Sequence, residues 1–257
     1  MLIGLIVVIA FVAISVYVVS LNSKKEIPQG VCEISMWKYR NVRKIIIPKS
    51  VKDISIEAFK GCASLKCIDG DLSGIVYIGC SAFAGCSSLV IVSDSVLSSL
   101  ASVGSSAFEG TAIYSISMPH ITSLGNGSFR HCSGNTFANC RNLKEVVLST
   151  KIQKIENSLF EGCVSLDSLS FYCEEEDKYY STNEKGSIVI PDCIKEIKSF
   201  AFQGCNSIRK LRLPSNISLG FKCFADCKNL RELYVSGTTK IDSTVIERCP
   251  KVKIIQY

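Results

Sequence analysis

The chain has 257 residues, 20% of them charged and 47% hydrophobic, a composition that can bury a core and excludes a mainly disordered chain. Its net charge of +6 at pH 7 gathers near the amino terminus, in Lys24, Lys25, Lys38, Arg40, Arg43, Lys44 and Lys49, more than in any stripe further along. A nucleic-acid surface calls for basic residues on one face with aromatic partners; no such pattern is visible, and no nucleic-acid partner is expected.

The first element is apolar: nothing from Leu2 to Leu21 is charged, and twenty helical residues span a bilayer core. A cleaved signal peptide carries Lys or Arg before a shorter apolar stretch, whereas this chain opens Met1-Leu2-Ile3-Gly4. Residues 1–22 are therefore expected to form an uncleaved transmembrane anchor, with 23–41 a basic juxtamembrane segment and cap; Val18-Val19-Ser20 leaves cleavage open. Basic residues after the anchor favour a cytoplasmic repeat domain, but long domains are translocated regardless of charge, and both orientations stand.

From about residue 42 one phrase recurs: a small residue, Phe, any residue, often Gly, then Cys. It appears around Phe59, Phe83, Phe108, Phe129, Phe160, Phe202 and Phe224, with a worn copy at Val245-Ile246-Glu247-Arg248-Cys249. The steps are 24, 25, 21, 31, 42, 22 and 22 residues. Thr136-Phe137-Ala138-Asn139-Cys140 repeats the phrase and reduces the step of 31; an acidic, Tyr-containing insertion near 172–187 explains most of the 42. Aliphatic residues precede each Phe at minus eight and minus five (Val51 and Ile54, Ile194 and Ile197) and follow at plus six, nine and eleven (Leu166, Leu169, Phe171). Alternation at plus nine and eleven is the period of a half-buried strand, and the Phe, Cys and plus-six spacing suits a short helical turn. Each unit thus reads as strand, turn, short helix, turn, and about eight units over 42–257 predict an α/β solenoid with a parallel sheet, stacked so that each unit covers its neighbour's core. Pro48, Pro119, Pro191 and Pro214 fall just past strand positions, where a missing N–H costs least.

Ile46-Ile47-Pro48-Lys49-Ser50-Val51-Lys52-Asp53-Ile54 followed by Ala58-Phe59-Lys60-Gly61-Cys62-Ala63-Ser64-Leu65 resembles one full unit of the BspA-like, treponemal-type leucine-rich repeats. The resemblance covers about residues 42–257. It implies a curved solenoid, no catalytic residues and, for many members, a surface-exposed or secreted protein engaged in adhesion or host contact.

Fourteen cysteines suggest a disulfide framework by count, but eight of them (Cys62, Cys86, Cys132, Cys140, Cys163, Cys205, Cys227, Cys249) sit third after Phe or its equivalent, where Thr111 stands once. A position that also accepts Thr reads as a small buried filler, and Cys223 as core. Cys32, Cys67, Cys173 and Cys193 lie outside that series and are the ones available for a disulfide. There is no Cys-x-x-Cys pair for a metal. His120 and His131 belong to no nucleophile motif, and no phosphate loop, serine elbow or dinucleotide fingerprint is present; no enzyme, cofactor or small-molecule substrate is expected. Asn126-Gly127-Ser128 and Asn216-Ile217-Ser218 are glycosylation sequons, meaningful only in a glycosylating lumen. Two surfaces remain for a protein partner. One is the outward strand face: Ser115, Ser117, Glu145, Val147, Ser168, Ser170, Lys210, Arg212, Glu232 and Tyr234. The other is the insertion, with Glu174, Glu175, Glu176, Asp177, Tyr179 and Tyr180, since loops that interrupt a regular scaffold often bind.

Overall fold

The computed structural model describes residues 24–31, 33–34, 42–92, 97–125 and 134–257. Among them no helix is long and apolar enough to cross a membrane; the anchor expected over residues 2–21 lies outside the described residues, as do Phe129, His131, Cys132 and the sequon at Asn126.

The alternating segments after each phrase form strands that pair in parallel from coil to coil, as the plus-nine and plus-eleven pattern requires. Lys24–Glu26, Lys44–Ile47, Cys67–Gly70 and Ile91–Val92 make one run. Ser115–Ser117, Glu145–Ser149 and Ser168–Cys173 make a second, and Ser187–Val189, Lys210–Arg212, Glu232–Val235 and Lys253–Gln256 a third. One side chain in two faces the core: in Ser168–Cys173, Leu169, Phe171 and Cys173 are buried while Ser168, Ser170 and Tyr172 face out.

The aliphatic residue five before each Phe belongs to a second ladder. Two-residue strands at Glu33–Ile34, Asp53–Ile54, Tyr77–Ile78, Ser102–Val103 and Ser123–Leu124, and again at Lys154–Ile155, Glu196–Ile197 and Ser218–Leu219, also pair in parallel. Each coil therefore has two strands, and the architecture is a parallel β-solenoid.

The expected short helix is absent: among the described residues the one helical segment is a single 3-10 turn, Leu72–Gly74, so the α/β assignment is corrected. The cause lies in the phrase itself. Residues two before and two after Phe take left-handed φ, as at Glu57 (57°) and Gly61 (71°), Ser158 (51°) and Gly162 (71°), and Lys222 (54°) and Asp226 (58°). Two such residues per coil break right-handed helical propagation. Gly, Asn or Asp fills the second position in the seven Phe coils, where a β-carbon is least welcome or best tolerated. Alternate N–H groups then point to the next coil: Glu57 N–H donates to Cys80 O at 2.9 Å, Phe59 N–H to Ala82 O at 2.7 Å and Gly61 N–H to Ala84 O at 2.8 Å. In a helix those donors would be used internally.

The core is one continuous cluster from Ile27 to Cys249. Phe59, Phe83, Phe108, Phe137, Phe160, Phe202 and Phe224 are at most 1% exposed, and their rings stack with centroids 5.1, 5.3, 5.6, 5.8, 5.3 and 5.6 Å apart. Phe108 packs directly on Phe137, and its N–H donates to Thr136 O at 2.9 Å. The rung above Phe108 is thus Phe137, the second copy of the phrase; Phe129 lies outside the described residues. The worn copy holds its place, because Phe224 N–H donates to Val245 O at 2.9 Å.

The thiols third after Phe do more than fill space. Cys86, Cys163, Cys205, Cys227 and Cys249 each donate to the carbonyl of the Phe one coil back, at 3.1, 3.0, 3.2, 3.2 and 3.1 Å. Cys140 does the same to Phe108 O at 2.9 Å, and Thr111, the exception in sequence, donates its hydroxyl to that same oxygen at 2.9 Å. Burial pushes the Cys140 thiol up to about 11, so it stays protonated as a donor; burial likewise pushes the core thiol of Cys223 up to about 12. Cys67, Cys173 and Cys193, the described cysteines considered for a disulfide, are free thiols.

Candidate interaction surface

Strand register decides which outward residues meet. Lys210, Glu232 and Lys253 share one row, beside Ser187, and Arg212, Tyr234 and Ile255 share the row two residues on, beside Val189. Four residues expected from the sequence, Lys210, Arg212, Glu232 and Tyr234, therefore form one patch on two adjacent strands. Lys210 Nζ lies 3.1 Å from Glu184 and 3.7 Å from Glu232, and Tyr234 donates its hydroxyl to Glu232 at 2.8 Å. The hydrogen bond and charge of Glu184, then the charge of Glu232, hold the Lys210 amine above its ordinary range; the bond to Glu232 raises the Tyr234 phenol. Arg212 stacks over the Tyr257 ring at 4.1 Å. Glu184 and Tyr257 were not foreseen: both lie outside the repeating phrase, so no spacing placed them in this patch.

Glu145 and Val147 stand on the same outward face but apart from that patch. Their rows are Ser115, Glu145, Ser168 and Ser117, Val147, Ser170, and the strand of Ser187 intervenes before Lys210. At about 4.8 Å per strand Glu145 lies roughly 14 Å from Lys210. The face is small and polar in the middle of the solenoid and charged and aromatic towards its carboxyl end.

The insertion is a hairpin. Lys178–Tyr180 runs antiparallel to the end of Ser168–Cys173, pairing Tyr172 with Tyr179 and Phe171 with Tyr180. Its acids are turned inward on their own neighbours. Glu174 pairs with Lys151 and lies 3.7 Å from His120 Nδ1; Glu175 accepts from the Cys173 thiol at 3.3 Å; Glu176 pairs with Lys178 and accepts from the Tyr180 hydroxyl at 3.2 Å; Asp177 accepts from the Tyr172 hydroxyl at 2.8 Å. Lys151 holds Glu174 below the usual carboxylate range, and Lys178 does so for Glu176. The Tyr172 and Tyr179 rings are 4.9 Å apart, His120 meets Tyr172 edge-on at 5.8 Å, and Tyr179 remains 57% exposed. His120 was missed as part of this cluster, since only the folded register brings it to Glu174. Among the described residues no three His, Cys, Asp or Glu side chains converge as metal ligands.

The BspA type leucine rich repeat region matches residues 17–136 and 133–253, in six copies. The chain belongs to the BspA type leucine-rich repeat family. Among solved structures, this BspA type chain is similar to the T. pallidum leucine rich repeat protein, at 20% identity over 73% of this chain and 78% of that one, with a TM-score of 0.51. It is also similar to a leucine-rich repeat protein from Eubacterium ventriosum ATCC 27560, at 17% identity over 91% of this chain and 72% of that one, with a TM-score of 0.50. At such identities the likeness shows the leucine-rich-repeat fold alone. No curated protein matches the chain significantly.

Proposed function

We propose that this chain is a non-enzymatic protein-interaction module that binds a protein partner along the outward sheet face, held at a cell surface by residues 2–21 and acting in adhesion or recognition. The observation that carries it is the patch of Lys210, Arg212, Glu232 and Tyr234 on two adjacent strands of a continuous parallel sheet. Solenoid sheets present such rows to extended partners, and Tyr and Arg are the side chains that most often dominate binding energy at protein interfaces. The family's expectation of surface exposure supports the placement. Charge reversal at Lys210→Glu with Arg212→Glu, on a partner identified by cross-linking to intact cells, is expected to weaken its affinity at least tenfold. Unchanged affinity removes the patch from the interface.

A second reading, a cytoplasm-facing scaffold that organises proteins at the membrane, is favoured by the basic residues Lys24, Lys25, Lys38 and Arg40 after the apolar segment. Protease added to intact cells separates the two: cleavage of the repeats supports surface display, and protection supports the scaffold.

A further inference from the structure

The sequence shows no basic stripe, but the coil register brings basic residues together locally. The residue that leads into each outward strand is stacked by backbone bonds: Lys66 N–H donates to Arg43 O at 2.8 Å, Arg209 N–H to Gly186 O at 2.7 Å, and Arg231 N–H to Arg209 O at 2.8 Å. Arg43 and Lys66 are thereby neighbours at one end of the rim of the sheet and Arg209 and Arg231 at the other, with Lys144 three coils from Arg209 and Asp167 and Gly186 between them; all five basic residues are exposed. Residues 22 or more apart in sequence are neighbours here, which is why a linear reading of charge does not find them. The density is highest at the carboxyl end, where Lys251 and Lys253 join Arg231 around an open cavity of about 320 Å³ that also touches Glu232. Glu232 is engaged by Lys210 and Tyr234, while Arg209, Arg231, Lys251 and Lys253 make no side-chain ion pair among the described residues.

We propose that the rim at Arg209, Arg231, Lys251 and Lys253 docks a short acidic peptide segment of the protein partner. This rests on the reading of the sheet as a protein-binding face and names the chemistry of what binds there. Unpaired guanidinium groups one coil apart, about 4.8 Å, offer bidentate donors to carboxylates. The aromatic and apolar side chains beside them, Tyr234 and Ile255 on the neighbouring row, suit a peptide with mixed side chains. A uniformly charged polymer fits worse. Running down the same column from Arg209 it meets Asp167 two coils away, because Gly186 N–H donates to Asp167 O at 2.9 Å, and Glu145 lies in the adjoining row one coil further. The favourable charge extends over few coils, and its occupant is correspondingly short.

The test uses the full chain and a fluorescent oligo-glutamate peptide, with oligo-lysine, a sulfated oligosaccharide and duplex DNA as alternatives. Oligo-glutamate is expected to bind with an affinity that falls as salt rises. The doubly neutralised Arg209→Gln, Arg231→Gln protein should lose at least tenfold, whereas Lys195→Gln with Lys240→Gln, equal in charge removed but away from the rim, should keep the affinity. Both exposed pairs leave the core intact, and matching thermal melts verify it. Oligo-glutamate affinity unchanged by the Arg209 and Arg231 substitutions overturns the proposal, and so does tighter, rim-dependent binding of the oligosaccharide or DNA. If those substitutions abolish peptide binding while reversal of Lys210 and Arg212 leaves partner affinity untouched, the rim stands and the outward rows fall; the opposite pattern removes the rim alone.

Discussion

A carbonyl inside a tight turn has one lone pair satisfied by its own coil and one left over, and the cysteine a coil away takes the second. Phe137 O, for example, accepts the Cys140 N–H at 3.1 Å and the Cys163 thiol at 3.0 Å. Thr111 keeps a donor at this place in the series, although its hydroxyl bonds the Phe108 carbonyl of its own turn. Thr111→Val keeps the shape, removes the hydroxyl donor, and is expected to cost about 1 kcal/mol of unfolding free energy in a denaturant titration. Cys163→Thr should be tolerated better than Cys163→Val for the same reason. Phe137→Ala, which opens a void in the stacked rungs, should cost about 3–5 kcal/mol. At this scale the sequence was informative about place and silent about role: the recurrence of Cys marked a buried position, but its bond to the preceding coil is a relation between residues 22 or more apart that no local pattern carries.

The strands were legible and the turns were not. Alternation after each Phe is a direct imprint of a sheet with one buried face, so the long ladder follows from the sequence. The two-residue strands hold a single inward side chain each, too few to show a period, and the left-handed residues at the first position are Glu, Ser, Phe or Lys with Asn once, a mixture that shares no signature of positive φ. Coil backbones approach closely beside the short ladder. A β-carbon at Gly104 would lie 2.5 Å from the Cys80 nitrogen, while one at Gly61 meets nothing within 4 Å. Gly104→Ala should therefore destabilise well beyond Gly61→Ala, whose left-handed φ alone costs about 1 kcal/mol; paired thermal melts check the order. Near the carboxyl end Asp226 ties three coils, accepting from Arg248 at 2.5 Å and from Gln203 Nε2 at 3.0 Å. Arg248 first, then Gln203, hold its carboxyl below the usual range. Its contribution is fully present above the ordinary carboxylate pKa and is lost as pH falls through the lowered value. Asp226→Asn should cost about 0.5 kcal/mol near neutrality and nothing at the acid end of a pH series.

For the whole molecule the register is the functional variable. Coils that each contribute one outward side chain per row convert residues scattered through the chain into rows and columns, and this is where the patch of Lys210, Arg212, Glu232 and Tyr234 arises. The sequence identified those four residues correctly as outward because their strands sit in unbroken coils. It missed Glu184, Tyr257 and His120 because the hairpin and the chain end fall outside the repeat. The solenoid's stability accumulates from nearest-neighbour contacts between coils. The rows and columns of outward side chains exist only while the coils are stacked in this register. Residue-resolved amide hydrogen exchange measures that directly. The amides of Phe59, Phe83, Phe108, Phe137, Phe160, Phe202 and Phe224, each donating to the next coil at 2.7 to 3.0 Å, should be protected together; free exchange at Phe137 and its fellows under native conditions would contradict the stacked register.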